Sequence, residues 1–239
     1  MTININSDLG EGLNIEEYIM PYLNSCSLAC GGHFGDYNSM SMAVEIAIRH
    51  DVQIGAHPSY PDKNFFGRKP FNISNHNLKK SIIDQIDSLR LILAKNNCEL
   101  NHIKTHGALY NLSAKDYDLA MLIIELIKEN YNGVFLYVPA KSLISELAIK
   151  NDLKIKNEVF LDRNYNIDNT LVSRDQSHAL INSSKKMFKR IKNVKTKGFL
   201  KASNGGEIIL EADTFCVHGD SPGIIKNLIS LKSHITNEL

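Results

Sequence analysis

The sequence predicts a barrel-like α/β fold of parallel strands, and three observations lead to that prediction. Short β-prone runs alternate with longer amphipathic helical patterns along the chain, which is typical of parallel strands joined by crossover helices. A chain of 239 residues is long enough for one such barrel. The sequence shows no internal repeat, low-complexity tract or Pro/Gly/Ser linker, so we predict a single domain over residues 1–239.

Seven segments have the length and composition of buried strands, a number close to that of a closed barrel. They are residues 3–8, 25–29, 52–56, 102–105, 134–138, 155–160 and 214–217. Residues 198–212, GFLKASNGGEIILEA, place two glycines between β-prone arms and therefore predict a hairpin before the last strand.

Two segments carry clear helical periodicity. Residues 74–96 repeat apolar side chains at three- and four-residue intervals, and residues 116–130 do the same with Asp116 in place to cap the first turn. Weaker patterns predict helices over residues 14–23, 39–50, 141–151, 175–191 and from Pro222 to the C-terminus. Strands and helices together give the repeated β/α order that a parallel barrel requires.

The charge balance excludes some classes of partner. The chain has 27 basic and 26 acidic side chains and a formal charge of +1, so we expect neither nucleic acid nor an anionic membrane as a partner.

The N-terminus lacks a signal-peptide pattern and no apolar run is long enough to span a bilayer, which predicts a cytoplasmic protein. The four cysteines lie in mostly apolar surroundings, which predicts reduced thiols. Cys26, Cys30 and His33 do not have a familiar zinc-ligand spacing.

Six of the seven predicted strands end in polar loops that contain glycine or proline. In chain order these segments read SDLGEG, CGGHFGD, HPSYPD, IKTHGALYN, EVFLDRNY and FCVHGDSPG. The carboxyl ends of all strands in a parallel barrel lie on one face, where such folds place their active sites. We therefore expect loops that are far apart in sequence to surround one shared pocket.

Imidazole, carboxylate and cationic side chains in these loops are the candidate functional residues. A single histidine after a strand is usually a hydrogen-bonded structural residue, but four occupy equivalent positions: His33, His57, His106 and His218. Asp8 ends an apolar strand, where a carboxylate is costly to bury without a partner. Lys104 lies in a strand-like segment and is either a member of an ion pair or a clamp for phosphate or an oxyanion.

The other charged candidates also have two interpretations. Glu11, Asp36 and Asp220 suit either helix capping or a binding site. Arg68, Arg163 and Arg174 are either surface charges or ligand clamps. The chain contains no G-x-x-x-x-G-K-[ST] loop and no G-x-G-x-x-G turn after a strand. Acid and base groups therefore dominate the predicted site.

The sequence closely resembles the LamB/YcsF family in six blocks, which occur in the same order from the N-terminus to about Gly223: NSDLGEG, SCSLACGGHFGD, IGAHPSYPD with FGR, IKTHGALYN, EVFLDRNY and FCVHGDSPG. This family includes the A subunit of bacterial ATP-dependent 5-oxoprolinase. The resemblance implies a distorted TIM-like (β/α) barrel related to the polysaccharide deacetylases. It also implies a subunit that works with B and C subunits to open 5-oxo-L-proline to L-glutamate while ATP is hydrolysed.

The implied activity assigns roles to the candidates, because opening a lactam needs cationic or N–H groups around developing negative charge and a base for water. Catalytic roles are expected for Asp8, His57, Lys104, His106 and His218. Binding of 5-oxoproline or ATP is expected for Glu11, Gly31, Gly32, His33, Asp36, Arg68, Tyr110, Arg163 and Asp220. ATP is expected with Mg²⁺, on this chain or at an interface with a partner subunit. The identity of the general base and the presence of a bound divalent metal stay open at this point.

Two other functions fit parts of the pattern. In a metal-dependent deacetylase acting on carbohydrate, Asp8, His57 and His106 hold a divalent ion that activates water. In a noncatalytic binding subunit, the chain shapes a site that belongs to its partners.

Overall fold

The computed structural model describes residues 3–238, and its centre is a closed barrel. The strands in this part of the chain are β1 (Ile5–Leu9), β2 (Ser25–Ala29), β3 (Gln53–His57), β4 (His102–Ile103), β5 (Phe135–Pro139), β6 (Ile155–Phe160), β7 (Phe199–Lys201), β8 (Glu207–Ile209) and β9 (Thr214–His218). The barrel order is β1-β2-β3-β4-β5-β6-β9. Its ladders are parallel, and β1 closes the ring by pairing with both β2 and β9. The predicted parallel barrel is therefore confirmed.

Each predicted strand overlaps a strand of the barrel. The predicted hairpin is also present, because β7 and β8 pair in antiparallel register outside the barrel. The strand β4 is short, but the backbone beyond it still follows β3, since the amide of Lys104 donates to the carbonyl of Ala56. This continuation directs the residues after β4 towards the carboxyl end of the barrel.

The helices are α1 (Glu16–Ile19), α2 (Tyr37–Arg49), α3 (Asn75–Lys95), α4 (Gly107–Ser113), α5 (Tyr117–Asn130), α6 (Leu143–Lys150), α7 (Ser184–Lys197) and α8 (Ile224–Glu238), and a 3₁₀ turn at Met20–Tyr22 follows α1. The helix α3 begins where predicted, because the Ser74 hydroxyl accepts a hydrogen bond from the Asn77 amide. Asp116 caps α5 in the same way through the Leu119 amide. The predicted helix from Pro222 also includes Leu239, which lies outside the described residues.

Two helical regions differ from the prediction. The helix expected over residues 175–191 begins at Ser184 and ends at Lys197, because its apolar stripe continues to Val194 and Gly198 ends it with φ +70°. The residues before it instead form isolated bridges, one of them between Arg163 and Leu180. The helix α4 was not predicted, because it is short and begins at a glycine directly after His106.

The apolar core lies between the barrel and the surrounding helices. Leu78, Ile82, Ile86, Leu89 and Leu93 of α3 are all buried against it, and each such side chain contributes about 1.5–3 kcal/mol by leaving water. Within residues 3–238, none of the helices combines the length and apolar composition that crossing a membrane requires. The barrel interior is different, because the polar side chains of Asn6 and Asp8, which lie on the same face of β1, are buried there.

Candidate active site

The carboxyl end of the barrel opens into a cavity of about 560 Å³. This volume is in the range of small-molecule sites. Ten of the residues predicted for the site line its wall: Asp8, Glu11, His57, Arg68, Lys104, His106, Tyr110, Arg163, His218 and Asp220. They come from the carboxyl ends of β1, β3 and β9 and from the segments that follow β1, β3, β4, β6 and β9. The parallel topology therefore gathers these side chains at one mouth.

Lys104 forms the centre of the cavity floor. Its side chain is 1% exposed, and its Nζ lies 3.0 Å from Asp8 Oδ1, 2.9 Å from Glu158 Oε1 and 3.2 Å from Cys216 Sγ. Burial alone lowers the pKa of Lys104, but Asp8, Cys216 and Glu158 outweigh it and hold that pKa well above its usual value. Of the two roles predicted for Lys104, the geometry is that of an ion-pair member.

Asp8 stays ionised at this position. Burial works to raise the pKa of Asp8, but the positive charges of Lys104 and His218 outweigh it and keep that pKa below its usual value. The His57 Nε2 atom lies 3.4 Å from Asp8 Oδ2. A negative charge is therefore fixed at the floor of the cavity.

Glu158 completes the floor, although the sequence prediction did not include it among the site residues. Its carboxylate accepts hydrogen bonds from Asn6 Nδ2 at 2.9 Å and from the Tyr110 hydroxyl at 2.7 Å. Because Glu158 is a charged residue within strand β6, the argument that singled out Asp8 and Lys104 applies to it equally. By the same argument Glu158 needs a cationic partner, and in the structure that partner is Lys104.

Three histidines and Glu11 form a second cluster beside the floor. The ring of His33 stacks on that of His106 with centroids 3.7 Å apart, and His33 Nε2 lies 2.9 Å from Glu11 Oε1. Burial lowers the pKa of His33 and of His106 to about 4, and it holds the pKa of His57 well below the usual value. Burial also raises the pKa of Glu11. Neutral imidazoles are therefore favoured in this cluster.

His218 has the opposite environment because a buried carboxylate holds its ring. Its Nδ1 lies 3.0 Å from Asp162 Oδ1, and its backbone amide donates to Asp162 Oδ2 at 2.7 Å. The Ser221 hydroxyl also donates to this carboxylate. Burial alone lowers the pKa of His218, but Asp162 outweighs it and raises that pKa above its usual value. Asp162 was not among the predicted site residues, although the sequence block EVFLDRNY contains it.

Arginines line the outer part of the cavity. Asp220 Oδ2 lies 3.3 Å from Arg68 Nη2 and 3.0 Å from Arg174 Nη1. Arg163 lies deeper and donates to the carbonyl of Val172 at 2.8 Å. Arg174, for which the sequence left a surface charge and a ligand clamp open, also lines the cavity. The mouth thus combines a negatively charged floor with a cationic rim.

Four predicted binding residues lie outside the cavity wall. The Gly31 amide donates to the Phe34 carbonyl, and the space that a side chain at Gly32 would need is filled by Gln85 and Ser59. Asp36 is exposed and caps α2. His33 lies behind the wall formed by Glu11 and His106. The structure therefore gives these residues positioning contacts rather than contact with the cavity.

Two groups of described side chains bring possible metal-ligand atoms within 4.8 Å of one another: Glu11 with His33, His57 and His106, and Asp8 with Cys216 and His218. Neither group matches the set of Asp8, His57 and His106 expected for a deacetylase, because Asp8 forms an ion pair with Lys104.

Cys26 and Cys30 are buried free thiols. All four cysteines are free, as predicted from their surroundings.

Fold and site together define a parallel (β/α) barrel with an acid–base cavity at the carboxyl ends of its strands, the position at which such barrels carry out catalysis. A sequence model of the LamB/YcsF family matches residues 3–239. The chain belongs to the LamB/YcsF family, and the resemblance seen in the six sequence blocks is confirmed.

Relatives in this family match along nearly their whole length. The 5-oxoprolinase A subunit of Pyrococcus horikoshii is 38% identical over 231 residues, which cover 95% of this chain and 91% of the relative. The protein of the same name from Campylobacter jejuni subsp. jejuni is 36% identical over 241 residues, 99% of this chain and 94% of the relative. The crystal structure of the lactam utilization protein from Thermus thermophilus has a TM-score of 0.90 at 29% identity, and the match covers 99% of this chain and 98% of that one.

Proposed function

We propose that this chain is the A subunit of an ATP-dependent 5-oxoprolinase, which hydrolyses the lactam of 5-oxo-L-proline to L-glutamate while ATP is hydrolysed. Relatives with that name, 36–38% identical over nearly the whole chain, support the proposal. The name of these relatives also supports an assembly with further subunits, and we propose that these are the B and C subunits.

The observation that carries the catalytic part of the proposal is the pair of His218 and Asp162. Asp162 holds Nδ1 of the imidazole, which fixes the ring orientation and leaves Nε2 for a reacting group. His218 lines the cavity. A raised pKa also suits a general base, because a base is most effective when its pKa lies near the working pH. We assign the general base to His218 and its positioning to Asp162.

The chemistry follows from the stability of the lactam. Amide resonance protects its carbonyl carbon from water, and phosphoryl transfer from ATP to the carbonyl oxygen removes that protection and releases ADP. Water then adds to the carbon while His218 takes its proton, and the ring nitrogen gains a proton as the C–N bond breaks. The resulting acyl phosphate reacts with a second water to give the carboxylate and inorganic phosphate.

The cationic rim is the part of the cavity suited to the phosphates of ATP. Arg68 and Arg174 reach the rim with half-exposed side chains and share Asp220 as their partner. Lys115 and Lys141 line the same cavity. Arginine and lysine bind phosphate through charge-assisted hydrogen bonds, and Mg²⁺ accompanies the nucleotide. The floor of Asp8, Lys104 and Glu158 lies deeper, and we place the lactam between floor and rim.

Reconstitution with the B and C subunits tests this function. Glutamate release from 5-oxoproline should require ATP and all three subunits. His218→Asn should lower kcat by about 10²- to 10⁴-fold, the usual contribution of a general base, whereas the surface variant His234→Asn should retain full activity.

Three results would contradict the proposal. Full activity of the B and C subunits alone would favour a noncatalytic binding role for this chain. Release of acetate from an acetylated sugar without ATP would favour the deacetylase. Unchanged kcat in His218→Asn would show that His218 is not the general base.

Three expectations stay predictions from the sequence: the single domain over residues 1–239, the cytoplasmic location and the lack of nucleic-acid or membrane partners.

A further inference from the structure

His57 and His106 face each other with the wrong pattern of protons for a direct hydrogen bond. His57 Nδ1 lies 2.8 Å from the carbonyl oxygen of Lys104, and His106 Nε2 lies 3.0 Å from that of Phe66. A carbonyl oxygen only accepts hydrogen bonds, so each of these ring nitrogens carries a proton. In the neutral rings, His57 Nε2 and His106 Nδ1 therefore both present lone pairs.

These two lone-pair nitrogens are only 3.0 Å apart. The contact is repulsive unless a positive charge lies between or beside them, and that charge is either an additional proton or a metal ion. An additional proton makes one ring an imidazolium, which burial disfavours because His57 and His106 are 1% and 7% exposed. A metal ion satisfies both lone pairs without a buried imidazolium.

Glu11 supplies an anionic oxygen at the same point. Glu11 Oε1 lies 3.4 Å from His106 Nδ1 and 3.9 Å from His57 Nε2. Ligand atoms at 2.0–2.1 Å around a tetrahedral ion lie about 3.3 Å apart. The three separations of 3.0, 3.4 and 3.9 Å therefore bracket the value for one shared ion.

The surroundings of the three groups also match those of metal ligands. Ligating histidines usually donate their other N–H to a backbone carbonyl or a carboxylate, as His57 and His106 both do. Glu11, His57 and His106 line the cavity, whereas His33 lies behind Glu11 and contacts its Oε1 at 2.9 Å. Three ligands with one side towards a cavity are typical of a site with an open coordination position.

We propose that Glu11, His57 and His106 bind one divalent transition-metal ion of the Zn²⁺ class, and that His33 positions Glu11. Imidazole ligands favour Zn²⁺ and its neighbours, whereas Mg²⁺ and Ca²⁺ prefer oxygen ligands. The ion is therefore distinct from the Mg²⁺ that accompanies ATP. The proposal does not depend on the proposed function, because it follows from the tautomers, distances and burial of these side chains.

Metal binding to the purified full-length chain tests the site without any measurement of activity. After treatment with a chelator and dialysis, the chain should take up one Zn²⁺ per molecule by calorimetry and elemental analysis. Co²⁺ should give the intense visible absorption of a tetrahedral site. Glu11→Gln and His57→Asn should each weaken Zn²⁺ binding by more than the approximately 10- to 100-fold cost of losing an outer-shell partner, and His33→Asn should fall within that range.

His218→Asn is the matched control, because it removes a histidine of the same mouth that belongs to the other group of possible ligands. It should bind Zn²⁺ within about twofold of wild type. Thermal unfolding of each metal-free variant identifies any that fails to fold. Glu11→Gln removes the charge but keeps the shape of the side chain, so this variant should fold. Absence of stoichiometric Zn²⁺ or Co²⁺ binding in the wild type would overturn the proposal. Binding that Glu11→Gln and His57→Asn leave unchanged would also overturn it.

Discussion

Replacing Lys104 by methionine isolates the energetic role of the buried ammonium at the cavity floor. Methionine retains an unbranched side chain, but it leaves Asp8 and Glu158 without the cation that lies about 3 Å from both carboxylates. Removing one partner of a buried ion pair costs about 3–5 kcal/mol. Domains are stable by about 5–15 kcal/mol, so Lys104→Met should fold, with a Tm lower by about 6–20 °C.

The loss of folding stability in Lys104→Met should depend on pH. The direction of each pKa shift decides whether the loss grows or shrinks as pH rises. In the wild type the folded-state pKa of Asp8 is lowered, so its contribution is present above the unfolded pKa and is lost as pH falls through the folded pKa. Without Lys104, burial and the neighbouring carboxylate raise the pKa of Asp8. Stability of Lys104→Met should then fall as pH rises through that raised pKa, and the destabilisation should be larger at pH 8 than at pH 5.

Urea unfolding followed by circular dichroism at the two pH values measures both effects. Lys79→Met is the control, because Lys79 forms a surface ion pair with Glu125 at 3.1 Å, and its loss should cost less than about 1 kcal/mol. The double variant Lys104→Met with Glu158→Gln should recover part of the loss, since only Asp8 then remains charged. A Lys104→Met variant no less stable than Lys79→Met would refute the ion-pair interpretation.

Other predictions concern the rim, the base and the barrel. Arg174→Gln should raise the KM for ATP of the reconstituted enzyme by about 10- to 150-fold, because it removes a charged hydrogen bond worth about 1.5–3 kcal/mol, while Tm stays unchanged. Because the pKa of His218 is raised, its contribution to stability is complete below pH 6.5 and is lost as pH rises through the raised pKa. The Tm of the wild type should therefore fall between pH 6 and 9, and His218→Asn should abolish this part of the pH dependence. Gly55→Ala would place a methyl group 2.3 Å from the His102 ring, which stacks on Tyr137, and should cost about 1–3 kcal/mol in urea unfolding. A smaller loss would show that the ring can move.

The barrel and its mouth were predictable because both depend on local patterns and on one topological rule. Strands of four to six residues separated by helices imply parallel ladders, and parallel ladders place their carboxyl ends together. The cost of burying a charge correctly indicated that Asp8 and Lys104 need partners, and they are partners of each other. The same cost applies to Glu158, which is a charged residue within β6 and also pairs with Lys104.

The segment between β6 and α7 was not predictable in the same way, because contacts distant in sequence define its conformation. The buried side chain of Arg190 donates to the carbonyls of Phe160 and Arg163, and Arg163 bridges to Leu180. These contacts keep residues 175–183 out of the predicted helix. The contact of Gly31 is also to a backbone carbonyl, since its amide donates to that of Phe34 within the turn.

The connection between β6 and β9, residues 161–213, adds no strand to the ring, yet it supplies the outer wall of the cavity from Asp168 to Arg174. The outer wall at residues 168–174 and the charged floor are therefore carried by separate stretches of chain. Changes in this wall can alter which molecule enters without disturbing the floor or the contact of Asp162 with His218. Exchange of residues 168–174 between family members is accordingly a route to new selectivity on an unchanged scaffold.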